Sequence, residues 1–247
     1  MLVERPSRRT IVTLLVVAVL SLLLDLAFGA FRVVRTDGAG GRGTVETVSL
    51  PTPNREGDVS VEEAIAARRS RREYGDGALA RRELGQLLWA AQGVTDRASG
   101  YRAAPSAGAL YPLELYAVVG TPGVEGLEPG VYRYRPRDHE LELVTPGDVQ
   151  SALRAVALDQ EFVGAAAVDL VVSAVDERTT RKYGERGRRR YVPMEAGHVG
   201  ENLYLQAESL GLSTVSVGAF DDAGVRRVVG VPANERPLYV VPVGRRA

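Results

Sequence analysis

Cysteine is absent from the chain, which excludes disulfides, thiolate-held iron–sulfur clusters and a cysteine nucleophile. Histidine occurs only at His139 and His198, too few for a histidine-rich metal centre, and no metal site is expected. Charge of one sign is lacking as well. Lys plus Arg and Asp plus Glu both total 31, so no global field points to nucleic acid. Neither a Rossmann GxGxxG set between a strand and a helix nor a P-loop occurs, which removes the two common glycine-rich phosphate cradles. Glycine itself is plentiful, 27 of 247 residues, and suits many tight turns. The length allows one large domain or two small ones, with a substantial core.

The one long apolar run is Thr10–Phe31, broken only by Thr13, Ser21 and Asp25. As a helix its 22 residues would measure roughly 33 Å, enough to cross a bilayer. Residues 1–36 are therefore expected to be a single-pass membrane anchor. A cleaved signal peptide is the alternative, because Ala27-Phe28-Gly29 offers small residues at the spacing a signal peptidase prefers. Arg5, Arg8 and Arg9 before the run outnumber Arg32 and Arg35 after it. This margin favours an amino terminus inside and leaves the side of the following domain open. Residues 37–58, rich in Gly, Pro, Thr and charge, read as a flexible linker. The soluble domain is expected over residues 59–247.

Within that domain Ser60 and Glu63 have the spacing of a capping box, and a helix is expected from Val61. Leu84, Leu87, Leu88 and Ala91 give a second helix over Leu79–Ala91, closed at Gly93. Pro105 and Pro112 then bracket Ser106, Ala107, Gly108 and Ala109. This stiff loop feeds the strand Leu113–Val119 and serves either as an ordinary connection or as the floor of a ligand pocket. A hairpin is expected from Gly130–Tyr134 and His139–Val144 around Pro136-Arg137-Asp138, with His139 exposed and inert. Val149–Val156 reads as a short helix and Ala165–Ala174 as a buried strand. Met194–Leu210 reads as a long helix with small residues, Gly197, Gly200 and Ala207, that admit a neighbouring helix, and His198 on it as a hydrogen-bonded residue. A strand and turn over Leu212–Phe220, a helix over Ala223–Val229 capped by Asp221-Asp222, and a last strand over Pro237–Val243 complete the chain.

Four stretches resemble signatures of the nitroreductase-like flavoproteins, in the SagB-type dehydrogenase branch. They are Arg68-Arg69-Ser70-Arg71-Arg72-Glu73-Tyr74, Pro105–Tyr116 (PSAGALYPLELY), Glu195–Phe220, and Pro242-Val243-Gly244-Arg245. Their order is preserved from Val59 to Arg246. The resemblance implies an α+β fold, a mixed sheet wrapped by helices, built as an intertwined homodimer. It implies FMN held without a covalent link at the dimer interface, both chains contributing. Arg68, Ser70 and Arg245, together with Arg246, would hold the phosphate, and Arg72 would approach the pyrimidine edge of the flavin. Pro105, Ser106 and Gly108 would line the ring and ribityl chain, and the backbone at Gly218 and Ala219 would pass the flavin N5.

The basic stretch Arg178–Arg190 reads from its residues as a solvated loop. The resemblance adds that azoline-oxidising members use a Lys-Tyr pair for proton transfer, which Lys182-Tyr183 matches. The implied activity is an FMN-dependent oxidoreductase working by ping-pong hydride transfer on a small molecule or a modified peptide. Peptide azoline oxidation is the specific form, and a general nitro or quinone reductase is the alternative. A nicotinamide or a membrane carrier would exchange electrons with it. A non-catalytic, membrane-tethered binding module of the same fold is the reading from another class.

Overall fold

The computed structural model describes residues 46–247; the expected anchor and residues 37–45 of the expected linker lie outside the described residues. Among the described residues no helix is long and apolar enough to cross a membrane.

The frame is one sheet. Its strands are β1 (Thr47–Ser49), β2 (Tyr74–Gly75), β5 (Leu113–Val119), β6 (Gly130–Arg135), β7 (Glu140–Pro146), β8 (Val168–Ala174), β9 (Leu212–Thr214) and β10 (Arg236–Arg246). They run in the order β1-β7-β6-β5-β8-β10-β2, and β9 also pairs with β10. A separate ribbon joins β3 (Val94–Asp96) to β4 (Tyr101–Arg102). The ladders between these strands are antiparallel. Among the described residues the parallel pairing is an isolated bridge outside these strands, between Leu79 and Val124.

Strand periodicity sends side chains to alternate faces, and both faces here are covered. Leu113, Leu115 and Ala117 of β5, with Leu170 and Val172 of β8, pack on one side against Leu84, Leu87 and Leu88 of α2 (Arg81–Gln92) and Val199 and Leu203 of α5 (Val192–Ser209). Tyr116, Val118 and Val171 pack on the other against Leu153 of α3 (Gln150–Val156) and Val225 and Val229 of α6 (Asp222–Val229). A central strand buried on both faces needs a nearly continuous apolar run, which β8 supplies. Each such Leu or Val contributes about 1.5–3 kcal/mol. The architecture is an α+β sheet wrapped by helices.

The capping box opens α1 (Val61–Ala67) as expected: Glu63 N–H donates to Ser60 Oγ at 3.1 Å and Ser60 N–H to Glu63 at 2.9 Å. Helix α1 buries Ala64 and leaves Val61 and Ile65 exposed. Three expectations change. Part of the expected linker is sheet, since β1 pairs with β7 and buries Val48 and Leu50. The basic stretch is not a loop but a helix, α4 (Asp176–Tyr183), followed by a π-helical turn over Gly187–Tyr191 that leads into α5. Its Arg181–Glu177 and Arg189–Glu185 pairs are one helical turn apart and exposed, a spacing that supports a helix without an apolar stripe. His139 is half-buried rather than inert. Its Nδ1 lies 2.8 Å from Tyr134 Oη and its Nε2 3.0 Å from Pro51 O, and burial pushes its pKa down.

Candidate functional site

The expected site residues other than Arg245 gather in two clusters. The first surrounds Tyr204 on α5. The Arg68 guanidinium lies over the Tyr204 ring, 5.2 Å from its centroid, and Ser70 Oγ shares a 2.9 Å hydrogen bond with Tyr204 Oη. The same phenol oxygen accepts from Ser216 N–H at 2.9 Å. One side chain thereby ties the arginine turn after α1 to the segment that continues to Gly218 and Ala219. On that segment Ala219 O accepts from Gln160 Nε2 at 2.9 Å, and Arg72 stacks 5.4 Å over the neighbouring Phe162. Ser70, Arg71, Arg72, Ser213 and Arg246 line a cleft of about 470 Å³ here.

Arg245 stands elsewhere. Its Nη1 donates to Glu83 at 2.8 Å, and its Nε and Nη2 donate to Ala78 O. Arg246 is the carboxyl-terminal arginine at the cleft, and its pair with Glu208 holds it there. Adjacent residues of a strand point to opposite faces, so a shift of one position exchanges the two roles.

The second cluster forms on the Pro105–Pro112 loop. Gly108 (φ 66°), Ala109 (φ 53°) and Tyr111 (φ 45°) are left-handed, and each of the two non-glycine residues costs about 1–2 kcal/mol. Tyr111 is held on every polar atom. Its N–H donates to Ser106 Oγ at 2.9 Å, its carbonyl accepts from Arg178 at 2.9 Å, and its hydroxyl accepts from Arg102 N–H at 3.2 Å. Lys182 and Tyr183 close over this loop. A Cβ placed on Gly108 would lie 2.8 Å from Tyr183 Oη and 3.0 Å from Lys182 Nζ, so only glycine leaves room for both. Tyr191 of the π-turn meets the Tyr183 ring edge-on at 5.0 Å. Beneath the loop, buried Glu195 accepts from Gln92 at 3.4 Å, and burial raises its pKa to about 7. His198 Nδ1 lies 3.3 Å from Pro105 O.

Lys182 is the only lysine of the chain, among 31 Lys and Arg residues. Arginine is the cationic side chain everywhere else, and the one primary amine side chain stands at the Gly108 loop. A count of lysines would have singled this residue out. Tyr204 and Glu195, the hubs of the two clusters, were not legible beforehand, because each reads as an ordinary residue of an amphipathic helix.

Helix α5 connects the clusters and separates them. Glu195 and Tyr204 are nine residues apart, about 2.5 turns, so they leave the helix on opposite sides.

The nitroreductase family profile matches residues 65–245. The chain belongs to the nitroreductase family, an oxidoreductase family. A Methanocaldococcus jannaschii protein named as a nitroreductase is 46% identical over 201 residues, covering 81% of this chain and 98% of that protein. The microcin B17-processing protein McbC of Escherichia coli is 31% identical over 153 residues, covering 61% of this chain and 56% of McbC. A chain of the E. coli microcin synthetase McbBCD complex with truncated pro-MccB17 bound is similar in structure. It has a TM-score of 0.63 and 28% identity, covering 81% of this chain and 78% of that one.

Proposed function

We propose that this chain is an FMN-dependent dehydrogenase of the SagB type that acts as a homodimer and oxidises azoline rings of modified peptides to azoles. The observation that carries the proposal is the convergence of the single lysine and Tyr183 on Gly108 of the expected flavin-lining loop. The likeness to McbC and to a complex that binds a peptide supports the substrate class.

The residues present fit FMN. Guanidinium groups of Arg72 and Arg246 with the Ser70 hydroxyl line one cleft, and guanidinium is the donor that pairs bidentately with phosphate oxygens. Two buried hydroxyls nearby, Tyr74 Oη and Ser216 Oγ, have no partner among the described residues, and buried donors are ordinarily paired. Burial and Asp169 hold the Tyr74 phenol in its protonated, donating form. FMN, when bound, supplies a two-electron acceptor for hydride. Azoline oxidation removes a hydride and a proton from adjacent ring atoms, and the chain must take the proton. Lys182 Nζ and Tyr183 Oη are the groups placed to do so, the base that this chemistry requires. Ser70, Arg68 and Arg72 bind and orient, and the Gly108 loop shapes the opposite wall.

Helix α5 supports the homodimer. Its two clusters face away from each other, so a flavin touching both takes one from each protomer of a two-fold pair. Exposed Val61 and Ile65 on α1 and Met194 on α5 are the apolar residues such a partner would cover. Residues 1–36 would tether this dimer to a membrane.

The likeness over 98% of the archaeal protein named as a nitroreductase favours a second reading, reduction of nitro groups or quinones with a nicotinamide. One experiment separates the two. FMN-loaded full-length protein in detergent is mixed without oxygen with a thiazoline peptide. The proposal predicts loss of the oxidised flavin's visible absorbance and appearance of the thiazole. Rapid turnover of nitroaromatics with reduced nicotinamide, and no bleaching by the peptide, would establish the second reading instead.

A further inference from the structure

We infer that Arg178 is the positioning residue that sets Lys182 and Tyr183 against the Gly108 loop. Arg178 and Lys182 are four residues apart on α4 and share one face of it. The Arg178 Nη1 donates to the carbonyl of left-handed Tyr111 at 2.9 Å, while Nη2 pairs with Glu114 at the start of β5. Glu114 is itself held by Arg133 at 3.0 Å, and Arg133 approaches buried Glu235 at 3.9 Å. The Glu235 carboxylate accepts from Tyr116 Oη and Ser173 Oγ in the core. A chain of charges therefore runs from the middle of the sheet to the strained loop, and Arg178 is its last member.

Arg181, Arg188 and Arg189 of this stretch have other partners. Arg181 and Arg189 pair within their own helical turns, and Arg188 pairs with Asp176. The start of α4 is also fixed to the loop, since Val175 N–H donates to Pro112 O at 2.8 Å. One helical turn further on, Arg178 makes the second attachment, and the next turn delivers Lys182 and Tyr183 to Gly108. The planar guanidinium satisfies a carbonyl and a carboxylate at once, which a lysine ammonium at the end of a flexible stem does not reproduce.

The reason that positioning matters rests on the proton-transfer role proposed above, but the placement can be measured without it. With one lysine in the chain, reductive methylation using carbon-13 labels only Lys182 and the terminal amine, and Lys182→Arg assigns the two signals. Lys182 Nζ lies 5.3 Å from the centroid of the Tyr183 ring, so its methyl signal in the full-length, flavin-free protein is displaced by the ring current. In Arg178→Ala the signal is expected to move to the position of free dimethyl-lysine, with the folded circular dichroism spectrum retained. In the FMN-loaded form turnover of the peptide falls tenfold or more with little change in KM. Arg178→Lys, the milder variant if the alanine form does not fold, is expected to recover part of the displacement. Arg181→Ala, on the exposed side of α4, leaves the signal in place. A displaced signal that survives in Arg178→Ala, or that Arg181→Ala moves equally, overturns the inference. A signal that behaves as expected in a protein that never oxidises azolines leaves the positioning intact and overturns the functional reading instead.

Discussion

Lys182→Arg is expected to lower azoline oxidation by about 10²–10⁴-fold, the usual contribution of a general acid–base group, while leaving flavin content and melting temperature unchanged. Arginine preserves the charge and much of the reach but does not release its proton under these conditions. A lysine acting only as a cation would tolerate the exchange, and a lysine that moves a proton would not. Tyr183→Phe gives the companion test. It keeps the ring that packs on Tyr191 and removes the hydroxyl beside Gly108. Single-turnover bleaching of bound flavin by the peptide reads both variants. A Lys182→Arg protein that bleaches at the parent rate would remove Lys182 from the chemistry.

Stability is expected to fall as pH rises from about 4 to 7 and then to level off, and Asp169→Asn should flatten most of that slope. Asp169 is completely buried at the second position of β8, with Gln150 donating to it at 2.9 Å and Gly164 N–H at 3.5 Å. Burial, aided by Asp148, pushes its pKa up to about 7. A carboxyl whose folded pKa exceeds its unfolded value favours the folded state while protonated. That contribution is complete below the unfolded value near 4, and it is lost as pH climbs through the folded value near 7. A shift of this size corresponds to on the order of 4 kcal/mol at pH 8. Glu195, raised in the same direction to about 7, contributes a second slope in the same window. Denaturant titrations at pH 5 and pH 8 measure the effect: the parent is the more stable at pH 5, and Asp169→Asn shows a smaller difference. An equal difference in both proteins would remove Asp169 as the source.

How far the sequence carried the fold depends on how many residues voted for each element. Helix α5 has a period sustained over 18 residues, and β8 is an apolar run read from both sides, so both were legible. The capping box at Ser60 was legible because its two hydrogen bonds require two residue types at one spacing. Strand β1 has three residues, one buried valine and no flanking turn signal of its own, too little to rise above the polar stretch around it. Helix α4 buries only Thr179, so its pattern looks solvated from end to end. Whether Arg245 or Arg246 reaches the cleft turns on a single step of strand register, and hydrophobic pattern does not resolve one step at the end of a chain. Motif order located the two clusters; their hubs, Tyr204 and Glu195, emerged only from the packing of α5.

The central claim is that the arginine turn and the Gly108 loop form the walls of an FMN site. Its most direct test is the absorbance spectrum of the purified full-length protein after incubation with FMN and removal of the unbound flavin. The account predicts visible flavin bands at one FMN per chain, lost when Arg68 and Arg72 are both replaced by alanine in a protein that still melts cooperatively. A folded parent chain that retains no flavin would contradict it.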